Sequence, residues 1–258
     1  MGQHRDGDGS GCSACRGGLA GKTLAANELR RLKLRVATYN IHDCVGRDGK
    51  YSPERIADVI LEMQVDVVAL QEITLDHPGE LVNQLEKTTG MLAVDGTIFD
   101  RGVGRYGNVL LSRYGVHEQR LHDLSYSGSE PRGVIDTVLL IDGHPLRVLA
   151  THLGLTSPER IDQIRRLAGL LSDDLHPTVL LGDFNVWLIM RPFAELRNLG
   201  FRYTDIRTFP TWPFPMLPLD RIFVRTPAAI LSCSRHHSPN SWIASDHFPV
   251  VAEMEIAQ

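Results

Sequence analysis

Leu181-Gly182-Asp183-Phe184-Asn185 closes the apolar run that begins at Thr178. The run reads as a core strand, and Gly182 admits a close backbone approach. If the chain stays extended, Asp183 and Asn185 leave on one face while Phe184 packs on the other. Working outward, the same arrangement recurs in Thr38-Tyr39-Asn40-Ile41-His42, Leu70-Gln71-Glu72, Ala150-Thr151-His152-Leu153, Leu219-Asp220-Arg221-Ile222 and Ser245-Asp246-His247. Each polar signature borders an apolar, strand-like stretch. Together they predict a β-scaffold that gathers Asn, Glu, Asp and His side chains at one edge. Such a set suits a divalent metal ion and an activated water, and points to hydrolysis of a phosphate ester.

The elements around these signatures follow from periodicity. Lys33–Tyr39 alternates as a strand, and Val65–Leu70 is a short buried one. Ser52-Pro53-Glu54 opens a helix whose Ile56, Val59, Ile60 and Met63 share a face. A second helix is predicted over Glu80–Thr88. Strands follow at Asn108–Ser112, Val134–Ile141 and Leu146–His152, the last two forming a hairpin that turns at Asp142-Gly143. Ser157-Pro158-Glu159 opens another helix, and Phe193–Leu199 reads as a short one. Arg221–Val224, Ala229–Ser234 and Phe248–Glu255 are late strands. Regular β-α-β alternation is missing, which favours two packed, mostly antiparallel sheets flanked by helices over a doubly wound parallel sheet. Thr208–Pro218, rich in Pro and aromatics, reads either as an ordered loop near the site or as a lid on the core.

With 258 residues, 43% of them hydrophobic, the chain is long enough for one large domain with its own core. Residues 1–32 form a polar tail, Gly-rich and expected to be disordered to about residue 22, with a helical lead-in at Thr23–Leu32; the folded domain spans 33–258. Cys12 and Cys15 form a lone C-x-x-C in that tail, without the second pair a structural zinc site needs. Cys44 and Cys233 read as plain thiols. A net charge of −4 and a pI of 6.2 weigh against tight, non-specific nucleic-acid binding. Apolar stretches stay well short of the ~20 residues that span a bilayer. The N-terminus shows neither a signal-peptide core nor a myristoylation pattern, so a cytoplasmic monomer is expected, with peripheral membrane association left open.

Glu72 at a strand edge suits Mg²⁺, a hard cation that prefers oxygen ligands, with Asn40 beside it and Asp246 as a second carboxylate. Asp183 positions or deprotonates a water, and Asn185 orients substrate without adding charge. His247 serves as a base or as a cationic phosphate ligand, with Asp220 fixing its tautomer. His152 is placed to contact a phosphate oxygen or the leaving group, and Arg132 to clamp phosphate bidentately. Arg221 reads as a solvated or structural neighbour of Asp220. A nuclease would add a basic strip, for which Arg101, Arg105, Arg113, Arg235, His236 and His237 are the candidates.

These residues resemble the endonuclease/exonuclease/phosphatase superfamily, from about Leu34 to Glu255. Leu181–Asn185 and Ser245–His247 are the most specific matches, supported by Tyr39-Asn40 and Gln71-Glu72. The resemblance implies a four-layered α/β sandwich and a Mg²⁺-dependent phosphoesterase, with Mn²⁺ as a substitute. It assigns Asn40, Glu72 and Asp246 to the metal group and Asp183 to water activation. Asn185 becomes a phosphate-orienting neighbour, Asp220 and His247 the Asp–His pair, and His152 a phosphate contact. Apurinic endonucleases carry an Asp where His42 stands, so the likeness is nearer to small bacterial members. The expected substrate is a phosphodiester: a lipid headgroup, a small molecule or nucleic acid. A DNA or RNA endonuclease with the same site is the alternative, and a non-enzymatic binding scaffold the least favoured reading.

Overall fold

The computed structural model describes residues 31–75, 80–100, 102, 104–172, 176–187 and 193–257. The predicted tail and its Cys12/Cys15 pair lie outside them, as does the lead-in helix up to residue 30. Arg31 and Leu32, expected to end that helix, open the first strand instead.

Two six-stranded sheets form the centre. The first runs β11 (Ala228–Arg235), β12 (Val250–Ala257), β1 (Arg31–Asn40), β2 (Val67–Leu75), β4 (Arg105–Ser112), β3 (Leu92–Asp100). The second runs β5 (Val116–Asp123), β6 (Gly133–Ile141), β7 (His144–His152), β8 (Thr178–Asp183), β10 (Asp220–Arg225), β9 (Phe201–Tyr203). Each sheet holds one parallel pair, β1 with β2 and β7 with β8, among otherwise antiparallel neighbours. A parallel pair needs a crossover, and here α1 (Pro53–Met63) and α3 (Ser157–Leu171) supply it. α2 (Glu80–Thr89), α4 (Ala194–Asn198) and α5 (Pro239–Ala244) complete the outer layers.

Strand alternation builds three hydrophobic layers. Val36, Val67 and Ala69 face Val148, Ala150 and Leu181 between the sheets. Their sequence neighbours Ala37, Val68 and Leu70 pack outward under α1 and α2. Leu149, Leu180 and Phe223 do the same beneath α3 and α4. The order is therefore helix, sheet, sheet, helix. Each buried aliphatic side chain contributes roughly 2 kcal/mol by leaving water.

The predicted hairpin is present, with Ile141 paired to His144. Asp142 takes a φ of 51° and Gly143 a φ of 84°. Two successive positive φ angles are what a type I′ turn requires. β2 runs past its expected end at Leu70, with an irregularity between Leu70 and Ile73, so Glu72 sits in a bulge rather than at a terminus. Sequence reading also missed β3, β5, β9 and α5. The side chains of β5 are nearly all exposed, so no apolar alternation marks it.

Candidate active site

The parallel strands decide where the chemistry gathers. Asn40 at the end of β1 pairs with Gln71 of β2, and His152 at the end of β7 pairs with Asp183 at the end of β8. Asp220 opens β10 directly opposite Asp183. The Ser245–His247 segment precedes β12, which is antiparallel to β1 and enters from the same end. Every one of these polar residues therefore meets at one end of the two sheets.

Backbone devices aim them. Gly182 has a φ of 155°, and a Cβ there would lie 1.9 Å from the Thr151 carbonyl oxygen. Only glycine lets β7 and β8 close this tightly. Asn185 takes a φ of 52°, so the chain is not extended as expected. The turn is held by the Asn185 N–H donating to Asp183 Oδ1 at 2.9 Å, a local side-chain bond that competes with the strand ladder. Phe184 still packs outward among Phe193 and Phe223. Glu72 adopts a φ of 57°, and His42, Asp43 and Cys44 make a left-handed turn with φ of 47°, 52° and 59°. Asp43 anchors that turn by accepting from the Thr74 N–H and hydroxyl at 3.0 and 3.1 Å. Backbone held in this region costs free energy that the surrounding structure must offset, and such positions cluster at functional sites.

Asp183 is the hub. Its Oδ2 accepts from Asn40 Nδ2 at 3.2 Å and lies 3.7 Å from His152 Nε2 and 3.8 Å from His247 Nε2. Asn40 Nδ2 also donates to Glu72 Oε1 at 2.9 Å, while its oxygen accepts from the His42 N–H at 3.1 Å. As placed, Asn40 orients Glu72 and Asp183 rather than offering its oxygen to the cleft. His247 Nδ1 lies 2.8 Å from Asp220 Oδ2, and the Thr208 hydroxyl donates to the same oxygen at 2.5 Å. Asn185 Nδ2 donates to the Leu153 carbonyl at 3.0 Å and lies 3.2 Å from His152 Nε2, so Asn185 holds His152 in place. The Ser245 hydroxyl donates to the Asn40 carbonyl at 2.8 Å and accepts from the His247 N–H at 3.2 Å, joining the ends of β1 and β12.

Burial sets the electrostatics. Asp183, Asp220 and His247 offer ligand atoms within 4.8 Å of one another and are almost fully buried. Desolvation, reinforced by the Asp220 charge, pushes the Asp183 carboxyl up to about 7. Burial alone would depress His247, but the bonded Asp220 carboxylate and the nearby Asp183 outweigh it and push it up to about 10. His247 is thus a cation at neutral pH.

Do these residues fit a metal ion? The buried Asp220 Oδ1 has no hydrogen-bond partner among the described residues, and once Asp183 ionises, near pH 7, two buried carboxylates face one imidazolium. Negative charge is left uncompensated, and the donors are hard oxygens, which suits a divalent cation such as Mg²⁺. Glu72 and Asp246, both on the cleft wall, have the chemistry to hold it.

The cleft has a volume of about 480 Å³ and is lined by Glu72, Arg132, His152, Asp183, Asn185, Asp246 and His247, with Glu130 beside Arg132 and an apolar wall of Leu155, Trp187, Phe209 and Leu217. Arg132 NH1 donates to Glu130 Oε1 at 2.5 Å, and its buried Nε has no partner among the described residues. The predicted site residues all converge, although Asn40 and Asp220 stand behind the wall. Thr208 and Ser245 had no assigned role in the sequence reading, though Ser245 lay inside a quoted signature. The loop Thr208–Pro218 borders the site: Thr208 bonds Asp220, and the Phe209 ring lies 4.8 Å from that of His247. Arg221 is not solvated; it is fully buried, bound to Asp205 and to the Thr204 and Val186 carbonyls.

Among the described residues, none of the basic-strip candidates lines the cleft. Arg113 follows the far end of β4 and bonds the Val65 carbonyl, Arg105 pairs with Asp95, and His236 with Glu62. Arg235 and His237 both lie against the Phe248 ring. Arg101 lies outside the described residues. Cys44 and Cys233 are free thiols, as expected.

Residues 37–247 match the model of the Endonuclease/Exonuclease/phosphatase family. The chain belongs to this family. That match spans the whole set of site residues, from Asn40 to His247, and membership supports phosphoester hydrolysis as the reaction class. At 28% identity over 254 residues, the chain is similar to "Uncharacterized protein YbhP" of Escherichia coli (strain K12), covering 89% of this chain and 99% of that one. An endonuclease/exonuclease/phosphatase structure from Beutenbergia cavernae superposes with a TM-score of 0.72 at 22% identity, covering 88% of this chain and 72% of that one. A mannosyl-6-phosphatase from Bacteroides thetaiotaomicron superposes at 0.67 and 18% identity, covering 86% and 99%. At such identities the likeness establishes the fold, an α/β sandwich, and the substrate has to be argued from the site.

Proposed function

We propose that the cleft hydrolyses a phosphodiester with the help of a bound divalent cation, Mg²⁺ or Mn²⁺. The single observation that carries this reading is the buried Asp183–Asp220–His247 cluster opening onto Glu72 and Asp246. When bound, such a cation neutralises phosphate charge and favours displacement at phosphorus.

The protein's own groups divide the remaining work. Asp183 lines the cleft, and a carboxylate with its affinity for protons raised toward neutrality is a competent acceptor for a proton from the attacking water. Asn40 and the Asn185 N–H fix the direction of that carboxylate. His247, held cationic by Asp220, directs Nε2 toward Asp183 and supplies positive charge where a phosphate oxygen would sit. Asn185 orients His152 toward the leaving-group side. Arg132, steadied by Glu130, offers a guanidinium to a further phosphate oxygen.

The test is release of nitrophenol from bis(p-nitrophenyl) phosphate. Activity should need Mg²⁺ or Mn²⁺, vanish with EDTA, and fall roughly 10³-fold in Asp183→Asn, as loss of a proton acceptor within a positioned cluster predicts. Turnover that persists in EDTA and in Asp183→Asn would overturn this reading.

A further inference from the structure

The cleft has two chemically different walls. One is the acidic, metal-suited wall just described. The other is Leu155, Trp187, Phe209 and Leu217, and from it apolar side chains continue outward into water. Leu155 is 68% exposed, and on the loop that carries Phe209 and Leu217, Trp212 is 59% and Phe214 61% exposed, with Met216 close behind. Trp212, Phe214 and Met216 thus expose three large apolar side chains on one short loop whose Phe209 and Leu217 line the cleft, and such a concentration marks an interaction site.

This loop is not loosely attached. Thr208 bonds Asp220; the Thr211 N–H and hydroxyl donate to the Asp246 and Ser245 carbonyls at 2.8 and 3.1 Å; Phe209 and Leu217 bridge each other. The Trp212 ring is braced against Trp242 and the Arg47 guanidinium. Trp187 lies against the Arg160 guanidinium, which is itself bonded to the Gly154 and Leu155 carbonyls and the Ser157 hydroxyl. The exposed groups are therefore held in place, and they are fastened to the catalytic segments themselves.

Charge narrows the occupant. A nucleic acid carries phosphates on both sides of the scissile one and needs cations along its path. Among the described residues Arg132 is the one guanidinium lining this cleft, enough for the scissile phosphate and no more. What the walls offer around a single phosphate site is apolar surface.

We propose that the substrate is a phospholipid presented in a lipid surface, with Trp212, Phe214 and Leu155 entering the interface and the Trp187 wall receiving the apolar side of the ester. This rests on the phosphodiesterase reading of the same cleft. In the reaction, water's oxygen bonds to phosphorus, the P–O bond to one alcohol breaks, and that alcohol leaves with a proton.

The experiment uses the full chain, vesicles of phosphatidylcholine, phosphatidylethanolamine and phosphatidylglycerol, and the double variant Trp212→Ser/Phe214→Ser, whose residues lie outside the catalytic set. The parent protein should co-sediment with vesicles and release phosphorylated product visible by phosphorus NMR. The variant should bind roughly tenfold more weakly, because two large apolar rings no longer leave water at the interface. It should hydrolyse soluble bis(p-nitrophenyl) phosphate at the parent rate. Absence of vesicle binding, equal binding by the variant, or preferred cleavage of an oligonucleotide over vesicle lipid overturns the proposal while leaving soluble-diester hydrolysis intact. Failure of the parent on the soluble diester instead removes the phosphodiesterase reading beneath it.

Discussion

Asp183 is a residue whose charge is unwelcome in its own fold. Its carboxyl is pushed up to about 7 by burial and by Asp220, against an ordinary value of 3.8. The native state therefore keeps a proton that the unfolded chain has lost above about pH 4. The contribution of Asp183 to stability falls as pH rises from about 4 to about 7, and its full cost is present above that. In EDTA, Asp183→Asn should remove this slope and leave the variant a few kcal/mol more stable than the parent at about pH 8. Parallel melting curves for the two proteins across this range would contradict the assignment. The same residue shows how far sequence reaches. Its place at the cleft was legible because Asp and Asn spaced by two at a strand end have few structural duties that fit better. Thr208 was not legible: twelve positions before Asp220, in a Pro-rich loop, nothing in its local pattern announces that it hydrogen-bonds the buried pair. Of the two readings of Arg221, a solvated or a structural neighbour of Asp220, the structural one holds. Its partners, Asp205 and the Thr204 and Val186 carbonyls, are brought to it only by tertiary structure.

At the scale of elements, β7 and β8 form the rail on which the site is mounted. Their closeness depends on Gly182, where the Thr151 carbonyl occupies the place of a side chain. Gly182→Ala should cost about 3 kcal/mol, combining an unfavourable φ with overpacking. It should also depress turnover more than the lost stability explains, since Asp183 is the next residue. Thermal melting read beside diester hydrolysis checks both, and a variant with parent-like melting would refute the close-approach argument. Sequence reading found β1, β2, β4, β6, β7, β8, β10 and β12 and the helices α1 to α4, most of which have a buried face, and also the largely exposed β11. Among the elements it missed, β3 buries a single apolar side chain, Val94. β5 is an exposed edge strand, β9 has three residues, and the six residues of α5 are too few for a helical period to show.

For the whole molecule, the surplus of buried negative charge predicts a stabilising response to cations. Mg²⁺ in large excess over its dissociation constant should raise the melting temperature by about 5 °C, a shift that mass action at ~100-fold excess supports for a domain this size. Glu72→Gln should abolish most of that rise while melting normally in EDTA; an equal rise in both proteins would remove Glu72 from the metal group. The sandwich itself has a mechanical consequence. Asn40 belongs to the first sheet and bonds Asp183 of the second; His247 leads into the first sheet and bonds Asp220 of the second. The reactive groups are thus the clasp of a two-leaved hinge. A slip of one leaf past the other by a single strand residue, about 3.3 Å, would leave most of the hydrophobic interior covered while parting both bonds. The proposed hydrolysis would therefore be a finer gauge of sheet alignment than folding is.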